Sequence, residues 1–285
     1  VKTVTAIHPG TLAISTNRLA DYLELSKPRI TFMALLTVAA GFWLASAGRP
    51  DWVTLWHTLL GSALVATGAS ALNQYLERGS DALMRRTMNR PLPAGRLAPL
   101  EVLSLGWFCG LIGIGYLAIM LPSPLAAGVA ATIFITYVFV YTPLKRTTSL
   151  NTLVGAIPGA LPPVIGWAAV RGSIDAEIIL VFAIIFLWQV PHFLAIAWIY
   201  REDYGRAGMC MLPVVDADGG MSGRQMVGYC LTLIPVSLMP LLLGRAGPVY
   251  LVGALVLGLG FLAAAAGFVR VPALKQARGV LRASL

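Results

Sequence analysis

Apolar residues run along the chain in eight long blocks, near 30–47, 54–76, 100–120, 125–142, 150–170, 176–199, 226–244 and 249–269. The stretches between them are charged or rich in Pro and Gly. A helix needs about 20 residues to cross a hydrocarbon layer about 30 Å thick at roughly 1.5 Å per residue, and these blocks are close to that length. An open strand in lipid would leave backbone groups unpaired, so each block is predicted to be a helix. The pattern predicts an all-α, polytopic transmembrane bundle of about eight spans. With no clear repeat and no low-complexity segment, residues 1–285 read as one membrane-embedded domain with a polar N-terminal tail over 1–25.

The polar stretches orient the bundle. Basic side chains cost roughly 2.5–3.5 kcal/mol at a span's centre and collect on the cytoplasmic side. Alternating the spans puts Lys2, Arg18, Lys27, Arg29, Arg78, Arg85, Arg86, Arg90, Arg96, Lys145, Arg146, Arg201, Arg206, Arg224, Arg270, Lys275, Arg278 and Arg282 on the N-terminal side. Only Arg49, Arg171 and Arg245 fall opposite, an 18-to-3 division of all 21 Lys and Arg. The expectation is a bacterial inner (cytoplasmic) membrane protein with both termini cytoplasmic and its active groups at the cytoplasmic helix ends.

Composition agrees with the pattern. Hydrophobic residues make up 58% of the chain without counting glycine, where soluble domains reach about 45–50% with it. Charged residues are 12%, too few to cover a soluble globule of this size. The first 29 residues hold Lys2, Asp21, Glu24, Lys27 and Arg29 and lack the apolar core of a cleavable leader, so the first long apolar run is expected to stay as a span. Cys109, Cys210 and Cys230 are scattered, without a CxxC pair, and read as packing residues. The +9 charge is dispersed among the spans and explained by topology, which argues against nucleic acid and leaves an anionic substrate open.

Candidate chemistry gathers at the basic end. Asn73, Glu77 and Asp81 recur every four residues, drifting only about 40° per step, so they share one stripe of a helix roughly 12 Å long. Two carboxylates about 4 Å apart repel by about 4 kcal/mol at an effective dielectric of 20. A divalent cation removes that repulsion, and Mg²⁺ takes oxygen ligands while borrowing others from substrate phosphates. The plain alternative is a solvated helix end. The next loop supplies Arg85, Arg86 and Arg90, whose planar forks suit phosphate oxygens. Tyr141, Lys145 and Arg146 stand at the following basic end, either as a phosphate contact or as membrane anchors. The run from Gly155 to Pro163 reads as close helix packing. His192, after Pro191 in the sixth span, is either a hydrogen-bonded packing residue or a haem contact through its imidazole. His57 reads as interfacial, near Trp52 and Trp56, and His8 lies in the polar tail. Arg201, Glu202 and Asp203 form a second acidic group on the same side as the first, which argues for one shared site.

Together these residues resemble the UbiA superfamily of intramembrane prenyltransferases, and within it the protohaem IX farnesyltransferase (haem O synthase) branch. The likeness runs from Ser26, Lys27, Pro28 and Arg29 to about Arg282. The Asn73/Glu77/Asp81 stripe carries the superfamily. The branch is carried by the runs from Arg86 to Leu92, Tyr141 to Arg146, Pro191 to Phe193 and Asp203 to Pro213. The resemblance implies farnesyl transfer from farnesyl diphosphate to a vinyl group of haem B. It implies Mg²⁺ on Asn73, Glu77 and Asp81, and diphosphate on Arg85, Arg86, Arg90, Tyr141, Lys145 and Arg146. It gives His192 to the haem, which is substrate rather than cofactor, and implies haem A synthase or terminal oxidase as assembly partners. Two departures stand out. The superfamily's second DxxxD motif is reduced here to Glu202 and Asp203, and the family's usual ninth span would begin about where Arg282 to Leu285 end this sequence. Prenylation of a quinone precursor, transport of an anion and a non-catalytic assembly role are the competing readings. The acids gathered at one face argue against a transporter's midplane site, and an assembly subunit has no need of the stripe.

Overall fold

The computed structural model describes residues 17–285; His8 and Lys2 lie outside them. Among the described residues there is no strand. In chain order the helices are α1 (Arg18–Leu25), α2 (Pro28–Ala45), α3 (Trp52–Asp81), α4 (Pro99–Met120) and α5 (Leu125–Ile135). A π-helical turn (Thr136–Tyr141) carries α5 into α6 (Thr142–Leu144). Then come α7 (Asn151–Ala160), α8 (Pro162–Arg171), α9 (Ala176–Ile199), α10 (Arg201–Arg206), α11 (Leu212–Val215), α12 (Gly220–Leu242), α13 (Pro248–Arg270) and α14 (Leu274–Ala283).

Eight helical segments are long and apolar enough to cross a membrane, in the order the hydrophobic pattern predicts. Their bounds differ mostly where a polar helix end had no hydropathy to mark it. The second span continues from 76 to Asp81, so the whole Asn73/Glu77/Asp81 stripe is helical, and the seventh begins at Gly220 rather than near 226. The tail expected over 1–25 ends in a helix, not coil. Asn17 caps α1 by accepting from the Ala20 amide, and Arg96 fastens it by reaching Asp21 and Glu24, each at 2.7 Å.

The fifth span bends because its sequence requires it. Pro162 and Pro163 follow Leu161, and α7 gives way to α8 there. The break lets α8 press against α2, where small residues permit backbone contact. A Cβ on Gly166 would fall 2.0 Å from the Val38 carbonyl oxygen, and one on Gly41 would fall 2.0 Å from that of Pro163. Two apolar cores result. One joins α2, α3, α5 and α8 around Phe42, Leu72, Phe134 and Trp167. The other joins α9, α12, α13 and α14 around Leu194, Met226, Phe261, Phe268 and Val280. Side chains such as Ile119, Val249 and Leu257 stand outward on the surface that lipid would cover.

Candidate active site

The site is built on the last three turns of α3. Asn73, Glu77 and Asp81 are all buried on one face, as their spacing predicts. Each meets a basic side chain from a different segment. Lys27 Nζ donates to Asn73 Oδ1 at 3.1 Å, Lys145 Nζ to Glu77 Oε1 at 2.7 Å, and Arg90 NH1 to Asp81 Oδ2 at 2.7 Å. Thr87 ties the arginine loop down by donating from Oγ1 to the Asp81 carbonyl at 2.9 Å, and Arg146 reaches Ser80 Oγ at 2.6 Å.

Proline chemistry aims Lys145. Pro143 has no N–H and its ring crowds the preceding turn, so the α-helical ladder cannot pass through it. The chain widens into the π turn over Thr136–Tyr141, an irregularity that inserts one residue into the helical register and is frequent at functional sites. Thr142 completes the turn: its N–H and its hydroxyl both donate to the Tyr137 carbonyl, while the hydroxyl accepts from Asn73 Nδ2 at 3.0 Å. Tyr141 packs against Gly155, where a Cβ would fall 2.5 Å from its ring. The Lys145 ammonium lies 4.6 Å from the centre of that ring.

Burial lowers the Lys145 pKa, but Tyr141 and Glu77 beside it more than offset this and hold it above its usual range. Lys27 shifts the other way. Burial, reinforced by the like charges of Arg90 and Lys145, pushes it down to about 7 against the pull of Glu77 and Asp81. In the sequence Lys27 counts among the basic residues of the cytoplasmic side and stands in the Ser26 to Arg29 run that opens the resemblance, with no task assigned to it. Its place immediately before Pro28, at the elbow from α1 to α2, is what brings its ammonium to Asn73.

The other predicted residues divide. Arg85 is exposed and makes no ion pair or hydrogen bond with another described residue. Arg86 turns away from the stripe to α10: it lies 4.7 Å from the Tyr200 ring centre and hydrogen-bonds the Tyr204 hydroxyl at 3.1 Å. Arg201 stacks on Trp198 at 4.2 Å. Asp203 pairs with Arg206 inside α10, and Glu202 is exposed. The second acidic group is thus engaged locally, and no three His, Cys, Asp or Glu side chains among the described residues form a metal-holding group. Besides Arg86, the loop around Cys210 joins its segment to the site. The Cys210 N–H donates to the Lys145 carbonyl at 2.7 Å, and Asn151 Nδ2 donates to the Cys210 carbonyl at 3.0 Å.

His192 faces α14. Its Nδ1 is 2.7 Å from the Ser284 hydroxyl, and its ring stacks on Trp188, whose Nε1 donates to the Ser284 carbonyl at 2.9 Å. His57 at the opposite end meets the Tyr116 hydroxyl at 2.6 Å.

The donor set suits a divalent cation that keeps part of its shell for water and substrate. Two carboxylates and one amide share a face, and Asp81 Oδ1 is buried without a hydrogen-bond partner among the described residues. Such an orphan acceptor costs about 1–3 kcal/mol, a deficit that a cation would relieve. Oxygen donors without a closed protein cage are the usual Mg²⁺ arrangement beside phosphates.

Comparison with known proteins places the chain. The UbiA prenyltransferase family matches the chain over residues 34–283. The protoheme IX farnesyltransferase of Solibacter usitatus (strain Ellin6076) is 47% identical over 274 residues, covering 93% of this chain and 94% of its own length. That of Salinibacter ruber (strain DSM 13855 / M31) is 45% identical over 265 residues, 93% of each. Among solved structures, a digeranylgeranylglyceryl phosphate synthase superposes with a TM-score of 0.77 at 17% identity, over 94% of this chain and 98% of its own. A UbiA homologue from Archaeoglobus fulgidus bound to DMAPP and Mg²⁺ gives 0.69 at 15% identity, over 92% and 99%. This chain is therefore an integral membrane enzyme that belongs to the UbiA prenyltransferase family, in the branch of the protohaem IX farnesyltransferases.

Proposed function

We propose that the chain moves a farnesyl group from farnesyl diphosphate to a vinyl group of haem B, working at the cytoplasmic side of a bacterial inner membrane. The observation that carries this reading is the α3 stripe of Asn73, Glu77 and Asp81 faced by Lys27, Lys145 and Arg90. The identity of the ring rests on the names of the relatives.

Asn73, Glu77 and Asp81 would hold Mg²⁺, which when bound offsets diphosphate charge and makes it a better leaving group. Arg90, Lys145 and Arg146 would take the remaining phosphoryl oxygens, with Tyr141 setting the position of Lys145 from beneath. As the C1–O bond of farnesyl diphosphate breaks, its electron pair leaves with the diphosphate. Cations already fixed in place stabilise that growing charge without reorganising. The vinyl group's outer carbon bonds to the allylic C1, and water adds to the inner carbon and releases one proton, giving the hydroxyethylfarnesyl side chain of haem O. Apolar helix walls keep water from the first cation. His192, within α9 and about ten residues before Glu202 of α10 in the chain, would meet the porphyrin through Nε2, since Ser284 occupies Nδ1.

Purified protein with farnesyl diphosphate, Mg²⁺ and haem B, offered beside an aromatic acid acceptor, tests the proposal by product mass. A farnesylated, hydrated haem is expected. Transfer to the aromatic acid with none to haem B overturns it.

A further inference from the structure

Each of the three candidate cation ligands is already held by a basic side chain, one to one. Lys27 holds Asn73, Lys145 holds Glu77 and Arg90 holds Asp81, at 3.1, 2.7 and 2.7 Å. The three basic residues come from separate segments: the elbow before α2, the end of α6 and the loop after α3.

Lys27 is the telling member. Its backbone is left-handed, with φ 48° and ψ 61°, a conformation that disfavours any residue with a Cβ. Pro28 also disfavours the right-handed helical alternative for the residue before it and favours an extended one, which Lys27 does not adopt. Glycine would fit this elbow without strain, yet a lysine stands there and its ammonium reaches the stripe. Backbone strain held by a side chain that touches a site is a mark of use.

An oxygen that accepts from an ammonium or guanidinium is not free to ligate a divalent cation along the same lone pair, and the two cations repel at that range. A divalent cation entering alone would find Asp81 Oδ1 open, but to gain Asn73 Oδ1 and Glu77 Oε1 it would displace Lys27 and Lys145 and press on Arg90, in a site with no anion to receive them. Diphosphate supplies that anion. Diphosphate entering alone would have to draw the same basic groups away from carboxylates left without a counter-charge.

We infer that Lys27, Lys145 and Arg90 are exchange cations: they hold the three ligands in the empty site and pass to diphosphate oxygens as the divalent cation takes the ligands. The cation and diphosphate then bind as a pair, and neither binds well alone. This rests on the Mg²⁺–diphosphate reading above and adds Lys27 to the site, with a specific task.

The test uses the full chain in detergent, with Mn²⁺ as a spin probe for Mg²⁺ and inorganic diphosphate for the substrate. Lys27→Gly removes the ammonium and suits the left-handed backbone, so it spares the fold. Arg29→Gln is the control: Arg29 lines the same groove of about 370 Å³ beside Lys27 and Arg90 but bonds none of the three ligands. Lys27→Gly is expected to bind Mn²⁺ alone at least fivefold more tightly than the parent and the Mn²⁺–diphosphate pair at least tenfold more weakly. Arg29→Gln should move either by less than twofold. Equal shifts in both variants would mean that the general field acts and no exchange occurs, and unchanged Mn²⁺ affinity in Lys27→Gly would also overturn the inference. Those failures leave the metal–diphosphate reading standing. Failure of every protein, parent included, to bind Mn²⁺ with or without diphosphate would overturn both.

Discussion

Glu77 and Lys145 are little exposed, 7% and 13% at the side chain, and each is the other's counter-charge. Removing one partner of such a buried pair costs about 3–5 kcal/mol, whereas replacing both with apolar groups is often close to neutral. Glu77→Gln is therefore expected to lower thermal stability and to cut turnover at least a hundredfold. The double variant Glu77→Met with Lys145→Met should regain most of the stability and none of the activity. Thermal unfolding beside product mass reads both, and recovered turnover in the double variant would remove this pair from the chemistry. Asp81→Asn should likewise abolish turnover, because it weakens the stripe carboxylate whose second oxygen stands buried and unbonded among the described residues. His192 lies apart from this cluster, bonded to Ser284 and stacked on Trp188. His192→Ala is expected to weaken haem B binding and shift its absorption, with farnesyl diphosphate affinity unchanged. An unchanged haem spectrum with weakened diphosphate binding would move it to the other subsite.

At the scale of helices, irregular turns do the aiming. Pro143 forces the π turn whose extra residue rotates the segment after it by about 100° relative to a regular helix. Pro143→Ala restores the missing donor. It is expected to let the turn relax, carry Lys145 off Glu77, and lower turnover at least tenfold with little loss of helix content by circular dichroism; turnover within twofold of the parent would show that the turn survives without the proline. Close packing yields a second test. Gly166→Ala should destabilise the bundle, because its Cβ would enter the Val38 carbonyl, whereas Gly128→Ala meets nothing within 4 Å and should not. Equal melting temperatures for the two would refute the tight α2–α8 contact. These features also show what the sequence could and could not convey. Span number and order were legible because every span carries its own hydropathy, and the stripe was legible because one helix carries all three residues. The π turn was not legible, since Thr136–Tyr141 is as apolar as its neighbours. Helix α1 was hidden by being short and polar. The use of Lys27 depends on a bend, and the turning of Arg86 onto Tyr200 and Tyr204 depends on where α10 comes to rest, which no local pattern encodes.

For the whole molecule, the charge division predicts how the bundle sits across its membrane. In the folded chain the starts of α2, α4, α7 and α12 share one end with the finishes of α3, α6, α9 and α13, and that end carries the ion-paired site. Arg171 and Arg245 lie at the other end, stacked on Trp167 and paired with Glu177 respectively. Because basic residues stay on the cytoplasmic side, the loop at 82–98 and the segment at 201–219 are expected to face the cytoplasm, within reach of diphosphate substrates. Cysteine labelling decides it. Cys210 stands half-buried on the side in question while Cys109 and Cys230 are buried, so all three are first replaced. Single cysteines are then placed at exposed positions: Asn89→Cys and Glu202→Cys on the site end, Ser173→Cys on the other. An impermeant maleimide applied to intact cells should label only Ser173→Cys, and the other two should react once the membrane is opened. The reverse pattern would turn the bundle over and put the diphosphate site outside. Labelling at both ends in intact cells would contradict any single orientation, and with it the charge rule as applied to this chain.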